Sequence, residues 1–111
     1  MIQADLALSI AIYDARPIIS VMNSNWCVYI VECSDGTLYT GISNNIDKRI
    51  REHNLGSGSR YTRGRRPVKL LVKWECTDKS HASKMEYRIK RLTREAKLRL
   101  IINLSLTPLE L

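Results

Sequence analysis

Cys27-Val28-Tyr29-Ile30-Val31-Glu32-Cys33, Ser34-Asp35-Gly36 and Thr37-Leu38-Tyr39-Thr40-Gly41-Ile42 are the consecutive stretches that decide the fold. Both arms are rich in β-branched and aromatic residues, and Asp-Gly between such arms is a strong hairpin signal. The loop length then sets where the tyrosines point. A two-residue turn would pair Ser34 with Thr37 and send Tyr29 and Tyr39 to opposite faces, because strand side chains alternate. A three-residue loop with Gly36 left-handed pairs Cys33 with Thr37 and sets Tyr39 opposite Val31. Both tyrosines then share a face, and this is the expected register.

Downstream of the hairpin, Ser43-Asn44-Asn45 suits a helix start, and a helix is expected over 45–54, ending near Gly56. Gly56-Ser57-Gly58-Ser59 reads as a flexible loop leading into Arg60-Tyr61-Thr62-Arg63-Gly64-Arg65-Arg66-Pro67. A third strand follows at 68–76. Val68, Leu70, Val72, Trp74 and Cys76 are expected on one face, with Lys69, Lys73 and Glu75 on the other. Asp78 or Ser80 can cap a helix over 80–92, and Thr93 a helix over 94–103 carrying Leu98, Ile101 and Ile102. The order β-β-α-β-α-α predicts an α+β domain, a small three-stranded antiparallel sheet with helices packed against it.

At 111 residues, one domain is the expectation, with residues 25–111 forming it. Residues 1–24 differ in character, carrying Arg16, two acids and an apolar run from Leu6 to Ile12. They read as an N-terminal extension, partly disordered and partly helical at 3–13. The run lacks the preceding basic residues of a signal peptide and is too short to span a membrane. The net charge is +7, and nearly all the surplus falls after residue 24. A basic face on a small domain points to nucleic acid, an anionic membrane or an acidic protein. The three cysteines, Cys27, Cys33 and Cys76, form no C-x-x-C pair and sit in expected strands. They read as small buried hydrophobes in a reducing cytoplasm rather than as zinc ligands.

Some residues break the folding pattern. On the first helix, Ile46, Arg49, Ile50 and His53 form one stripe, yet two of the four are ionisable. The next long helix repeats the anomaly with Ala82, Met85, Glu86 and Ile89. Charge at the border of a core is costly unless it is paired or solvated. An Arg49–Glu86 ion pair joining two helices would explain both positions, and so would a site. The run from Arg60 to Arg66 holds Arg60, Arg63, Arg65 and Arg66 around Tyr61. Guanidinium groups suit phosphates and an aromatic ring suits a base, so these five residues are the candidate nucleic-acid contacts.

Taken together, Cys27-Val28-Tyr29, Tyr39-Thr40-Gly41, Arg49, His53 and Glu86 resemble the GIY-YIG nuclease family, in particular its small stand-alone bacterial branch and the nuclease module of UvrC. Gly56 to Gly64 and Glu86 to Thr93 resemble that branch as well, and the likeness spans about residues 26–102. Cys27 and Val28 replace the first Gly-Ile, and Thr40 replaces the second Ile, while both tyrosines remain. Asn103 is the nearest candidate for a further asparagine that many relatives carry.

The resemblance implies a metal-dependent endonuclease hydrolysing phosphodiester bonds in DNA, in repair or recombination. It implies Tyr29, Tyr39, Arg49, His53 and Glu86 as catalytic residues. Glu86 would hold Mg²⁺ or Mn²⁺, Arg49 would meet phosphate charge, and Tyr29 would act as general base with His53 as its proton partner. Nucleic acid is the expected partner, with no membrane involved and a protein partner conceivable as a source of specificity. The rival reading is a nucleic-acid-binding module of the same fold without turnover. A further rival is a structural or regulatory protein whose basic face meets an acidic partner.

Overall fold

A computed structural model describes the backbone of residues 24–110 and the side chains of residues 24–103. The expectations for the extension, apart from Ser24, lie outside the described residues. Strands β1 (Cys27–Glu32), β2 (Leu38–Ser43) and β3 (Lys69–Glu75) form an antiparallel sheet in the order β2-β1-β3. The helices are α1 (Ile46–Leu55), α2 (Arg60–Arg63), α3 (Lys79–Lys90) and α4 (Arg94–Glu110).

The hairpin has the three-residue loop. Cys33 donates its N–H to the Thr37 carbonyl at 2.8 Å, and Gly36 has φ +83°. That left-handed value disfavours a side chain, which explains glycine here. Asp35 Oδ1 accepts from the Thr37 N–H and hydroxyl, closing the turn. Val31 therefore faces Tyr39, and both tyrosines lie on one side of the sheet.

Both faces of β1 are covered, so residues Cys27 to Val31 are all buried and the strand reads as a continuous apolar run. On one face Val28, Ile30, Trp74 and Cys76 pack with Ala82, Met85 and Ile89 of α3 and Ala96 and Leu100 of α4. On the other, Tyr29, Val31, Cys33 and Val68 pack with Tyr39 and with Ile46 and Ile50 of α1. Helices α1 and α3 thus lie on opposite faces. Their separation corrects one expectation. An Arg49–Glu86 pair between packed helices has no place here, and the charges are taken up separately, Arg49 by Glu52 at 3.2 Å and Glu86 by Lys90 at 3.3 Å.

Strand β3 departs from simple alternation. Ile30 pairs with Val72 but Val31 pairs with Leu70, so Leu71 is an extra residue, a bulge. One inserted residue reverses the facing of everything beyond it. Val68 therefore joins the tyrosine core, Trp74 and Cys76 join the α3–α4 core, and Leu70 is left exposed.

The expected helices are present with small shifts at their ends. Asn45 caps α1 by accepting from the Lys48 N–H, and Gly56 at φ +90° ends it. Asp78 caps α3, and Thr93 Oγ1 accepts from the Ala96 N–H at the start of α4. Helix α4 runs well beyond the expected residue 103. The short helix α2 replaces what reads in sequence as open loop. Ser59 caps it by accepting from the Thr62 N–H, and Arg66 donates to the carbonyls of Arg63 and Asn54.

Candidate active site

Tyr29, near the middle of β1, sends its hydroxyl towards α1, where His53 waits on the last turn. The hydroxyl lies 2.8 Å from His53 Nε2. This approach needs Gly41, the residue opposite Tyr29 in β2, because a Cβ there would come within 2.6 Å of the Tyr29 hydroxyl oxygen. Arg49, one turn before His53 on the same helix face, also lies against the hydroxyl. Its Nε is buried without a hydrogen-bond partner among the described residues. A buried donor left unpaired costs about 1–3 kcal/mol, an expense folds tolerate chiefly where function asks for it.

Burial raises the Tyr29 hydroxyl to a pKa of about 12, with the facing guanidinium of Arg49 pulling the other way. Tyr29 is therefore a neutral phenol at rest. Burial, and then the charge of Arg49, holds His53 below its ordinary 6.5, so the imidazole is neutral near pH 7. A neutral imidazole next to a phenol can take its proton.

Tyr39 stands edge-on to His53, with ring centroids 5.2 Å apart, and tilted against Tyr29 at 6.4 Å. Tyr61 of α2 stacks on Tyr39 at 5.8 Å. Arg65 lies over the Tyr61 ring at 4.1 Å, donates to the Tyr61 carbonyl and pairs with Asp35 at 3.0 Å. The hairpin loop thereby clamps the basic segment over the tyrosines. Arg65 and Arg66 are engaged with the protein, whereas Arg60 and Arg63 are exposed.

Tyr29, Tyr39, Arg49 and His53 thus converge, and Tyr61 joins them by stacking. Glu86 stands apart. It belongs to α3, on the other face of the sheet from α1, with its side chain 24 % exposed. Helix α3 also contacts β2, the edge strand that carries Tyr39. Beside Arg49 an open depression of about 420 Å³ is lined by Trp26, Ser43, Lys48, Glu52 and Lys79. Among the described residues no group of three or more His, Cys, Asp or Glu is gathered for a metal.

Sequence reasoning did not find Ser59, Thr62 or Gly58. His53 Nδ1 lies 2.7 Å from the Thr62 hydroxyl, and Thr62 in turn contacts Ser59. A Cβ on Gly58 would fall 2.5 Å from that Nδ1, so glycine lets the loop close over the ring. The cap pattern Ser59-Arg60-Tyr61-Thr62 was the available signal. Asn54 also escaped notice. Its side chain bonds both the N–H and the carbonyl of Val68, tying the end of α1 to the approach to β3.

Comparison with known proteins shows the family of the chain. The family profile described as the GIY-YIG catalytic domain matches residues 25–99. A UPF0213 protein of Desulfotalea psychrophila is 57% identical over 77 residues, covering 68% of this chain and 70% of the relative. A UPF0213 protein of Haloquadratum walsbyi is 54% identical over 80 residues, covering 71% of this chain and 89% of the relative. The solution NMR structure of a UPF0213 protein from Bacillus halodurans is similar at 43% identity, with a TM-score of 0.46 over 68% of this chain and 81% of that one. With its paired tyrosines, Arg49 and His53 in the order that the sequence suggested, the chain belongs to the GIY-YIG family, a family of nucleases.

Proposed function

We propose that this protein is a metal-dependent endonuclease that hydrolyses phosphodiester bonds in DNA. The observation that carries the reading is the buried Tyr29–His53 hydrogen bond with the Arg49 guanidinium beside it. Hydrolysis needs a proton taken from water, charge met on the phosphate and help for the departing oxygen. Tyr29 would receive the proton of the attacking water while passing its own to His53 Nε2. Its high pKa keeps the phenol protonated until that coupled transfer. Arg49 would meet the negative charge growing on the phosphate oxygens, and Tyr39 would orient the water or the phosphate.

Glu86 would hold the divalent cation, Mg²⁺ or Mn²⁺. A single, partly exposed carboxylate suits a hard cation that keeps most of its waters. When bound, the cation supplies charge neutralisation at the phosphate and the departing oxygen. Glu86 on one side of the β2 edge and Arg49 on the other would then grip the same phosphate. Arg60 and Arg63, exposed on α2, would track the strand's backbone, with Arg65 and Arg66 holding α2 in place and Tyr61 bridging it to Tyr39.

The test is cleavage of a panel of branched, flapped and single-stranded DNA and RNA with Mg²⁺ or Mn²⁺. Metal-dependent nicking of DNA is expected, abolished by Glu86→Ala and by Arg49→Ala. Tight binding without cleavage under every condition would instead identify a binding module of the same fold.

A further inference from the structure

The proton chemistry of His53 depends on which ring nitrogen carries the hydrogen, and the residues around Nδ1 decide that. The Thr62 hydroxyl lies 2.7 Å from Nδ1 and 2.9 Å from Ser59 Oγ, and it is positioned to donate to the Ser59 carbonyl at 3.4 Å. Ser59 Oγ also accepts from the Thr62 N–H at 3.1 Å, so Ser59 holds Thr62 from both its backbone and its side chain. Thr62 is fully buried, and Gly58 allows the loop to close on the ring.

Two arrangements of protons fit these distances, and they differ in what they leave for Tyr29. If Thr62 donated to Nδ1, the hydrogen of the ring would sit on Nε2 and point at the Tyr29 oxygen. The Tyr29 proton would then face Arg49, which can only donate. If Nδ1–H donates to Thr62, whose own proton goes to Ser59, the protons of His53, Thr62 and Tyr29 all find acceptors. Nε2 becomes the acceptor for the Tyr29 hydroxyl at 2.8 Å.

We infer that Thr62, anchored by the Ser59 cap of α2, is a positioning residue that fixes the Nδ1–H tautomer of His53 and so leaves Nε2 free to take the Tyr29 proton. Thr62 touches no reacting atom. It acts through His53, as a hydrogen-bonded partner orients an imidazole in many sites. On the nuclease reading, the segment whose Arg60 and Arg63 would track the phosphate backbone thereby also positions the imidazole. The catalytic part of this inference rests on the nuclease reading; the tautomer part does not.

The experiment uses the full chain labelled with ¹⁵N. Long-range ¹H–¹⁵N spectra near pH 7.5 report separately on the two ring nitrogens of His53, without substrate or metal. The wild type is expected to show a protonated Nδ1 and an unprotonated Nε2. Thr62→Val removes the acceptor at similar volume and should give a mixed or Nε2–H pattern, while Thr62→Ser restores the wild-type one. Under cleavage conditions, kcat should fall about tenfold or more in Thr62→Val, less than the roughly hundredfold or more that a whole general acid–base group contributes because His53 itself remains, with KM little changed and Thr62→Ser recovering most of it. A wild-type ring with its hydrogen on Nε2 overturns the inference by itself, whether or not the valine variant folds. An unaltered tautomer in a folded Thr62→Val overturns it too. If the wild type cuts nothing, the nuclease reading fails, while the ring nitrogens still report whether Thr62 sets the tautomer.

Discussion

Gly41 and Gly58 make the tightest demands at the scale of single residues, because each lies where a methyl group would strike a working side chain. A Cβ on Gly41 meets the Tyr29 oxygen at 2.6 Å and its ring carbon at 2.7 Å, and the buried ring, held by its hydrogen bond to His53, has little room to shift. Gly41→Ala should destabilise the fold by about 1–3 kcal/mol through overpacking and should suppress cleavage more than Tyr39→Phe does. Urea unfolding alongside activity would measure both. His53 gives a pH prediction. Its folded pKa lies below 6.5, so its contribution to stability is whole above pH 6.5 and is lost as pH falls below that through the folded value. Between about pH 7.5 and 5.5 the urea midpoint of the wild type should fall more than that of His53→Gln. Equal slopes would mean that folding leaves the His53 pKa unshifted. Arg49 and His53 stood out in the sequence because they interrupt an apolar helix stripe, whereas Tyr29 and Tyr39, ordinary residues in strands, stood out only through the family resemblance. Thr62 did not stand out, since a threonine after a serine cap looks ordinary until tertiary contact puts it 2.7 Å from an imidazole nine residues back.

At the scale of elements, the hairpin was readable and β3 was not. Asp35-Gly36 fixed the parity of the tyrosines through local turn chemistry, whereas the bulge at Leu71 answers to packing on both sides of a central strand, which no local signal announces. The stretch 56–66 was read as loop because glycines punctuate it. What makes α2 a helix is the Ser59 cap together with bonds to His53, Asn54 and Asp35 from distant parts of the chain. This division of labour separates the arginines experimentally. Arg60→Ala with Arg63→Ala should weaken DNA binding about equally for unrelated sequences and reduce the salt slope by up to about two, if both meet phosphate. Arg65→Ala should instead release Tyr61 from Asp35 and lower kcat at nearly unchanged slope. Binding assays across salt would show an equal slope loss for Arg65→Ala if the clamp were idle.

For the whole molecule, the position of Glu86 on the far face from α1 predicts a separation of stability from chemistry. Its ion-pair partner among the described residues, Lys90, is half exposed, and such pairs contribute about 0–1 kcal/mol. Glu86→Gln should therefore leave the thermal midpoint within a few degrees of wild type while metal affinity and cleavage collapse. A strongly destabilised variant whose folded fraction still cuts would make Glu86 a structural residue. Among the described residues no helix is long and apolar enough to cross a membrane.

One consequence follows from β1 lying between two cores. Local openings of a protein span a range of free energies, lowest at edges and termini and highest at strands covered on both sides. Tyr29 rides on the strand at the top of that range, with Val28 and Ile30 beside it facing the opposite core. The proton acceptor's partner can thus be lost only when the molecule opens as a whole. Its amide should be among the slowest to exchange, and a denaturant titration should show the Tyr29–His53 contact vanishing with global unfolding. Exchange through a much cheaper opening would place β1 at the frayed end of the molecule instead.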